Sequence, residues 1–176
     1  ALLDQFGQRE EASVFLKEAL KLSPRKQGMF FQLGSNTINR GDKEGAVELF
    51  RQAFELDQTY PAARLTYAMG LLYSGEVARA DELLTEGFGT VIIDDDQLVR
   101  AYVDVGLLDR VVEVWEKRVE REPGNAQYHL SLAAAYLQSG QRESAIVELE
   151  RVIELNPDFK EQGEFYIREI RAGRNP

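Results

Sequence analysis

Apolar residues recur along the chain at spacings of three and four, the period of one face of an α-helix, rather than in strict alternation. Short glycine-containing turns interrupt these stretches at Gly7, Gly41, Gly75, Gly106 and Gly140, spaced 34, 34, 31 and 34 residues apart. An apolar helical pattern precedes each glycine and another starts a few residues after it, so the helices come in pairs at a nearly constant period. A glycine at that place enters the left-handed conformation that ends a helix at little steric cost. Pro24, Pro61, Pro123 and Pro157 follow the second helices, where the chain turns before the next pair.

Residue size repeats with the same period. Five residues after the glycines stand Ala12, Ala46, Ala80, Val111 and Ala145, and four further on Leu16, Phe50, Leu84, Trp115 and Leu149. Three more reach Ala19, Ala53, Gly87, Arg118 and Val152. These positions share a helical face, where small residues let two helices approach and the large one fills the gap. The first helices carry stripes of their own: Phe30, Leu33, Gly34 and Thr37, then Arg64, Tyr67, Ala68 and Leu71, and later His129, Leu132, Ala133 and Tyr136. The expected class is all-α, with repeats over about 1–25, 26–60, 61–91, 92–124 and 125–158 and a closing helix over 159–172. In that last helix Phe165, Tyr166, Ile167 and Ile170 suit docking, while Arg168, Arg171 and Arg174 lie on a more exposed side.

Two repeats depart from the pattern. The fourth follows a 31-residue step, places Val111, Trp115 and Arg118 at its packing positions, and is preceded by Gly87, Phe88 and Gly89, which shorten the helix before it. It is expected to pack at a different angle. The first keeps only Ala1–Phe6 of its leading helix, and Leu2, Leu3 and Phe6 begin abruptly where a terminal repeat needs a polar face. A fragment of a longer protein is expected.

Composition narrows the function. Acidic residues number 30 against 21 basic, a net charge of −9, which repels a phosphate backbone, and no basic stripe offsets it. The chain has no cysteine, so disulfides, thiolate zinc sites and cysteine nucleophiles are excluded. The longest charge-free stretch, Pro123–Gln141, holds 19 residues, but its proline, glycines, His129 and amides do not suit a membrane span. A soluble domain with no membrane insertion of its own is expected, and a chain without cysteine suits either side of a membrane.

Candidate chemistry is sparse. The single histidine, His129, sits at an aromatic-preferring place with no nucleophile or orienting carboxylate near it in the repeat register, and reads as a packing residue. Asp94, Asp95 and Asp96 precede a helix starting near Gln97 and read as its cap, because a cation loop spreads its carboxylates around a glycine turn. Gly87-Phe88-Gly89 lacks the strand, the third glycine and the lysine of a phosphate loop and reads as a helix end. Trp115 falls on the core register. No catalytic set, cofactor site or metal site is expected.

In period and in the order of small, large and small residues the chain resembles the tetratricopeptide repeat family, from Ala1 to about Arg171. The resemblance implies a right-handed α-solenoid of antiparallel helix pairs that binds a protein or peptide partner without catalysis. It also implies a concave groove lined by fixed places of the first helices. In the second repeat these are Phe31, Ser35, Ile38 and Asn39; in the third, Leu65, Met69, Leu72 and Tyr73. In the fourth they are Asp96, Arg100, Val103 and Asp104; in the fifth, Gln127, Leu130, Ala134 and Leu137. The family's carboxylate-gripping pattern is not matched, since Phe31, Ser35, Ala62 and Thr66 stand at its places. An apolar helix or extended segment is the expected ligand, with Met69, Leu72 and Tyr73 as its anchor. Self-association through the N-terminal edge is the alternative. The stretches Ser23-Pro24-Arg25-Lys26-Gln27, Gly89-Thr90-Val91 with the following aspartates, and Asn125-Ala126-Gln127-Tyr128-His129 are also similar to the repeat tails of O-antigen ligase-like bacterial membrane proteins. That resemblance implies a positioning module for an envelope glycan enzyme.

Overall fold

The computed structural model describes residues 11, 14–19, 21–23 and 25–175, so the expectations for residues 1–6, Gly7, Ala12 and Pro24 lie outside the described residues. Helix α1 is described at residues 11, 14–19 and 21–22. It is followed by α2 (Gln27–Asn39), α3 (Lys43–Leu56), α4 (Pro61–Tyr73) and α5 (Val77–Phe88). Then come α6 (Asp96–Asp104), α7 (Leu108–Arg121), α8 (Ala126–Gln138), α9 (Arg142–Leu155), a 3-10 turn (Pro157–Phe159) and α10 (Lys160–Arg171). No strand occurs among the described residues. The chain forms two compact units, Ala1–Val91 and Ile92–Pro176.

In the first unit α2 packs on α3, α3 on α4 and α4 on α5. Gly41 and Gly75 end the first helices at φ 85° and 84°, in the left-handed region where a Cβ would be strained. Phe50, on α3, is 3% exposed and lies between two glycines. A Cβ on Gly34 would stand 2.3 Å from the Phe50 ring, and one on Gly70 2.7 Å from it. One aromatic ring thereby fills the space against both α2 and α4, a burial worth roughly 1.5–3 kcal/mol. Gly87 is small for a different reason. A Cβ there would lie 2.1 Å from Arg64 Cδ, because the Arg64 side chain crosses from α4 to α5. Arg64 lies 4.9 Å from the Phe54 ring centroid and donates to the Leu83 carbonyl at 3.0 Å. The helix then ends at Phe88, with Gly89 left-handed at φ 73°.

In the second unit α6 packs on α7, α7 on α8, α8 on α9 and α9 on α10. Its terminal core gathers Ala133, Ile146, Leu149, Ile167 and Ile170, with Leu130, Leu137, Ile153, Phe159 and Tyr166 packed around it. A Cβ on Gly163 would lie 2.7 Å from Ile153 Cγ1, so α10 approaches α9 closely at that glycine. Gly163, Ile167 and Ile170 form the buried stripe of α10 at spacings of four and three. Phe165 falls off that stripe and is 46% exposed, which corrects the expectation that it docks. Among the described residues no buried side-chain nitrogen or oxygen lacks a hydrogen-bond partner.

Candidate binding faces

The expected groove residues divide by burial. On α2, Phe31 and Ile38 are half-buried, while Ser35 and Asn39 are exposed. On α4, Leu65, Met69 and Tyr73 are half-buried at spacings of four. Leu72 is 1% exposed and belongs to the core, so it does not stand on a binding wall. The reason lies in the position of α4, which has α3 on one flank and α5 on the other. Its buried arc therefore widens to include Tyr67, Ala68, Gly70, Leu71 and Leu72, beyond the single stripe read from the sequence.

On α6, Arg100, Val103, Asp96 and Asp104 are exposed. On α8, Leu130 and Leu137 are half-buried and pack against the terminal core, whereas Gln127 and Ala134 are exposed. Within the second unit, Gln127 and Leu130 share an open cleft of about 760 Å³ with Val152 and Asn156 of α9 and its end, and with Phe159 of the following turn. Glu122, Gly124, Asn125 and Ala126 complete its lining. Asn125 caps α8, its Oδ1 accepting from the backbone N–H of Gln127 at 3.1 Å and of Tyr128 at 3.4 Å.

The polar residues singled out from the sequence are tied into the fold. Asp95 caps α6 by accepting from the Gln97 and Leu98 N–H groups at 3.0 and 2.9 Å. Its neighbours do something the sequence reading missed. Arg118 is 7% exposed, and its Nε donates to Asp94 Oδ1 while an Nη donates to Asp96 Oδ1, both at 2.6 Å. Arg121 donates to the second Asp94 oxygen at 2.7 Å. Burial pushes the Asp94 carboxyl up, but the hydrogen bonds from Arg121 and Arg118 outweigh it and hold the group below the usual aspartate value. The signal was present in the sequence: an arginine at a position otherwise held by small residues must find a carboxylate on folding.

Trp115 is half-buried rather than sealed in the core. It lies under the Arg118 guanidinium, 4.4 Å from its ring centroid, and 5.9 Å from the Tyr128 ring. His129 is buried as expected, but a carboxylate does face it, contrary to the reading from the repeat register. Its Nδ1 lies 2.6 Å from Glu148 Oε2, and its Nε2 lies 3.0 Å from the Pro123 carbonyl. Glu148 comes from the helix paired with that of His129, a tertiary neighbour at a separation of 19 residues. Both ring nitrogens are occupied, so the imidazole links α8 to α9 and to the preceding turn. Tyr136, also on α8, donates to Glu116 Oε1 at 2.6 Å; burial and that carboxylate push its phenol well up. Among the described residues no group of three or more His, Asp or Glu side chains is arranged to hold a metal ion. No described helix is long and apolar enough to cross a membrane.

Antiparallel helix pairs closed by left-handed glycines, with a large side chain set between small ones, define the class as an α-solenoid of paired helices. The model of the tetratricopeptide repeat matches residues 28–60 and 126–159, so the chain carries repeats of that kind. Among curated relatives, it is 26% identical over 139 residues to ALBINO3-like protein 2, chloroplastic, of Arabidopsis thaliana, covering 79% of this chain. It is 24% identical over 165 residues to interferon-induced protein with tetratricopeptide repeats 3 of Mus musculus, covering 83% of this chain. The chain spans only 23% and 41% of the lengths of these two relatives.

Among solved structures, MamA of Desulfovibrio magneticus superposes with a TM-score of 0.59 at 24% identity, over 86% of this chain and 88% of that one. YrrB, described as a TPR protein with an unusual peptide-binding site, superposes with a TM-score of 0.52 at 20% identity, over 89% and 82% of the two chains. The C-terminal part of a TPR repeat-containing protein from Cytophaga hutchinsonii gives 0.63 at 14% identity, over 95% and 67%. At these identities the likeness is one of fold.

Proposed function

We propose that this chain is a non-enzymatic protein-interaction scaffold that holds an apolar peptide or helix on the first helices of its repeats. The observation that carries the reading is on α4. Leu65, Met69 and Tyr73 run along one side at spacings of four and stay half-buried, while Ala63, Tyr67, Ala68, Gly70, Leu71 and Leu72 of the same helix are buried. Phe31 and Ile38 of α2 keep comparable accessibility. An apolar strip that folding leaves partly open, with a flexible methionine and an amphipathic tyrosine, suits an adaptable contact. The peptide-binding site named for YrrB, a protein of the same fold, supports the same class of function.

The test is an affinity capture comparing the wild type with Leu65→Glu plus Met69→Arg. Loss of captured protein with unchanged helical circular dichroism is the expected result. Equal capture by both forms moves the binding surface elsewhere, and loss of helicity makes these side chains core.

A second reading, self-association, is favoured by α1, where Phe15 and Leu22 are 73% and 87% exposed. A mass that rises with concentration, and falls back in Phe15→Ser plus Leu22→Ser, would put this reading first. The resemblance to O-antigen ligase-like tails concerns what carries the scaffold, and the upstream coding sequence decides it.

A further inference from the structure

The cleft of the second unit is built differently from the α4 strip. Its floor is apolar, from Leu130, Val152 and Phe159, and amides stand beside it. The Gln127 side chain is exposed, as is Asn156, and neither has a side-chain hydrogen bond among the described residues. A primary amide carries both donors and an acceptor, the set that pairs with a peptide unit. The backbone N–H and C=O groups of an extended segment are free to make such bonds, whereas those of a helix are already used. The cleft volume lies within the ~300–1,000 Å³ common for ligand sites.

Charge sets the second requirement. Glu122 lines the cleft and accepts only from the Asn125 amide, at 3.2 Å. Asp158, between the lining residues Asn156 and Phe159, is exposed. Neither carboxylate has an ion-pair partner among the described residues. The nearest cations in sequence are engaged elsewhere: Arg121 with Asp94 at 2.7 Å, and Lys160 with Glu164 at 3.9 Å. Residues 92–176 carry 17 carboxylates against 11 cationic side chains, a net −6, so the surrounding field also favours a cation.

We propose that this cleft binds an extended peptide in which an apolar residue is flanked by lysine or arginine. The apolar side chain rests on Leu130, Val152 and Phe159, Gln127 and Asn156 pair with the backbone, and Glu122 receives the cation. The proposal rests on the scaffold reading and gives it a site and a ligand class in the second unit.

The experiment is selection from a phage-displayed heptapeptide library on the full chain, followed by fluorescence anisotropy with the selected peptides labelled with fluorescein. Selected sequences should join an apolar residue to a lysine or arginine. Glu122→Lys should weaken them roughly five-fold, the scale of an exposed ion pair. Gln127→Ala with Asn156→Ala should weaken them roughly ten-fold, the scale of two lost hydrogen bonds. All of these side chains are exposed, so the variants should keep the wild-type melting temperature. Peptides that bind equally well to these variants but fail on Leu65→Glu plus Met69→Arg would overturn the cleft and leave the scaffold reading standing. Enrichment of no peptide at all would overturn both.

Discussion

The seam around α3 in the first unit and the seam around α7 in the second solve the same packing problem with opposite materials. Around α3 the small positions are Ala46 and Ala53, the large one is Phe50, and Gly34 and Gly70 admit the ring. No charge takes part in that contact; it depends on shape. Around α7 the corresponding residues are Val111, Trp115 and Arg118. The tryptophan is left half-open, and the buried guanidinium lies over it while reaching Asp94 and Asp96. There the seam depends on charge-assisted hydrogen bonds and on the stem and plane of an arginine. One repeat position thus tolerates either a methyl group or a guanidinium, provided that the segment before α6 and its first residue supply the anions.

Phe50→Ala should have the largest effect on either seam. Emptying a site that two glycines have shaped around a ring should cost about 3–5 kcal/mol, because backbone on both sides limits collapse. Denaturant unfolding of the full chain measures it, and a cost near 1 kcal/mol would show that the seam relaxes easily.

Arg118→Met comes next. It keeps much of the stem but removes the ion pairs and the contact over Trp115, and about 1–2 kcal/mol should be lost. The loss stays below that of Phe50→Ala because the orphaned carboxylates return to water: Asp94 is 41% exposed and Asp96 86%. A cost equal to that of Phe50→Ala would mean that the guanidinium is as essential as the ring.

The smallest effects separate the two aspartates. Asp96→Asn should cost under ~1 kcal/mol, as an exposed ion pair does. Asp94→Asn should instead change the response to pH. The folded Asp94 holds its proton more weakly than the unfolded one. Its stabilising contribution is therefore full above the ordinary aspartate value and disappears as the pH falls through and below it. Acid titration followed by circular dichroism should show a shallower loss of stability in Asp94→Asn than in the wild type. Parallel curves would remove Asp94 from the linkage.

The helix pairs, their turns at Gly41, Gly75, Gly106 and Gly140, the end of α5 at Phe88 and the cap at Asp95 all follow from local rules of period, chirality and hydrogen bonding. Those rules act over a few residues, so one chain suffices to read them. Leu72 lies in the core and not on the open side because the width of a helix's buried arc depends on how many neighbours flank it. The Glu148 partner of His129 and the Asp94 and Asp96 partners of Arg118 lie 19, 24 and 22 residues away, where spacing along the chain carries no signal.

The helical class, the repeat period and the places that need small side chains follow from the order of residues along the chain. Which large side chains stay open to solvent and which carboxylates remain unpaired is set in three dimensions, because accessibility and charge pairing belong to what surrounds a residue in space.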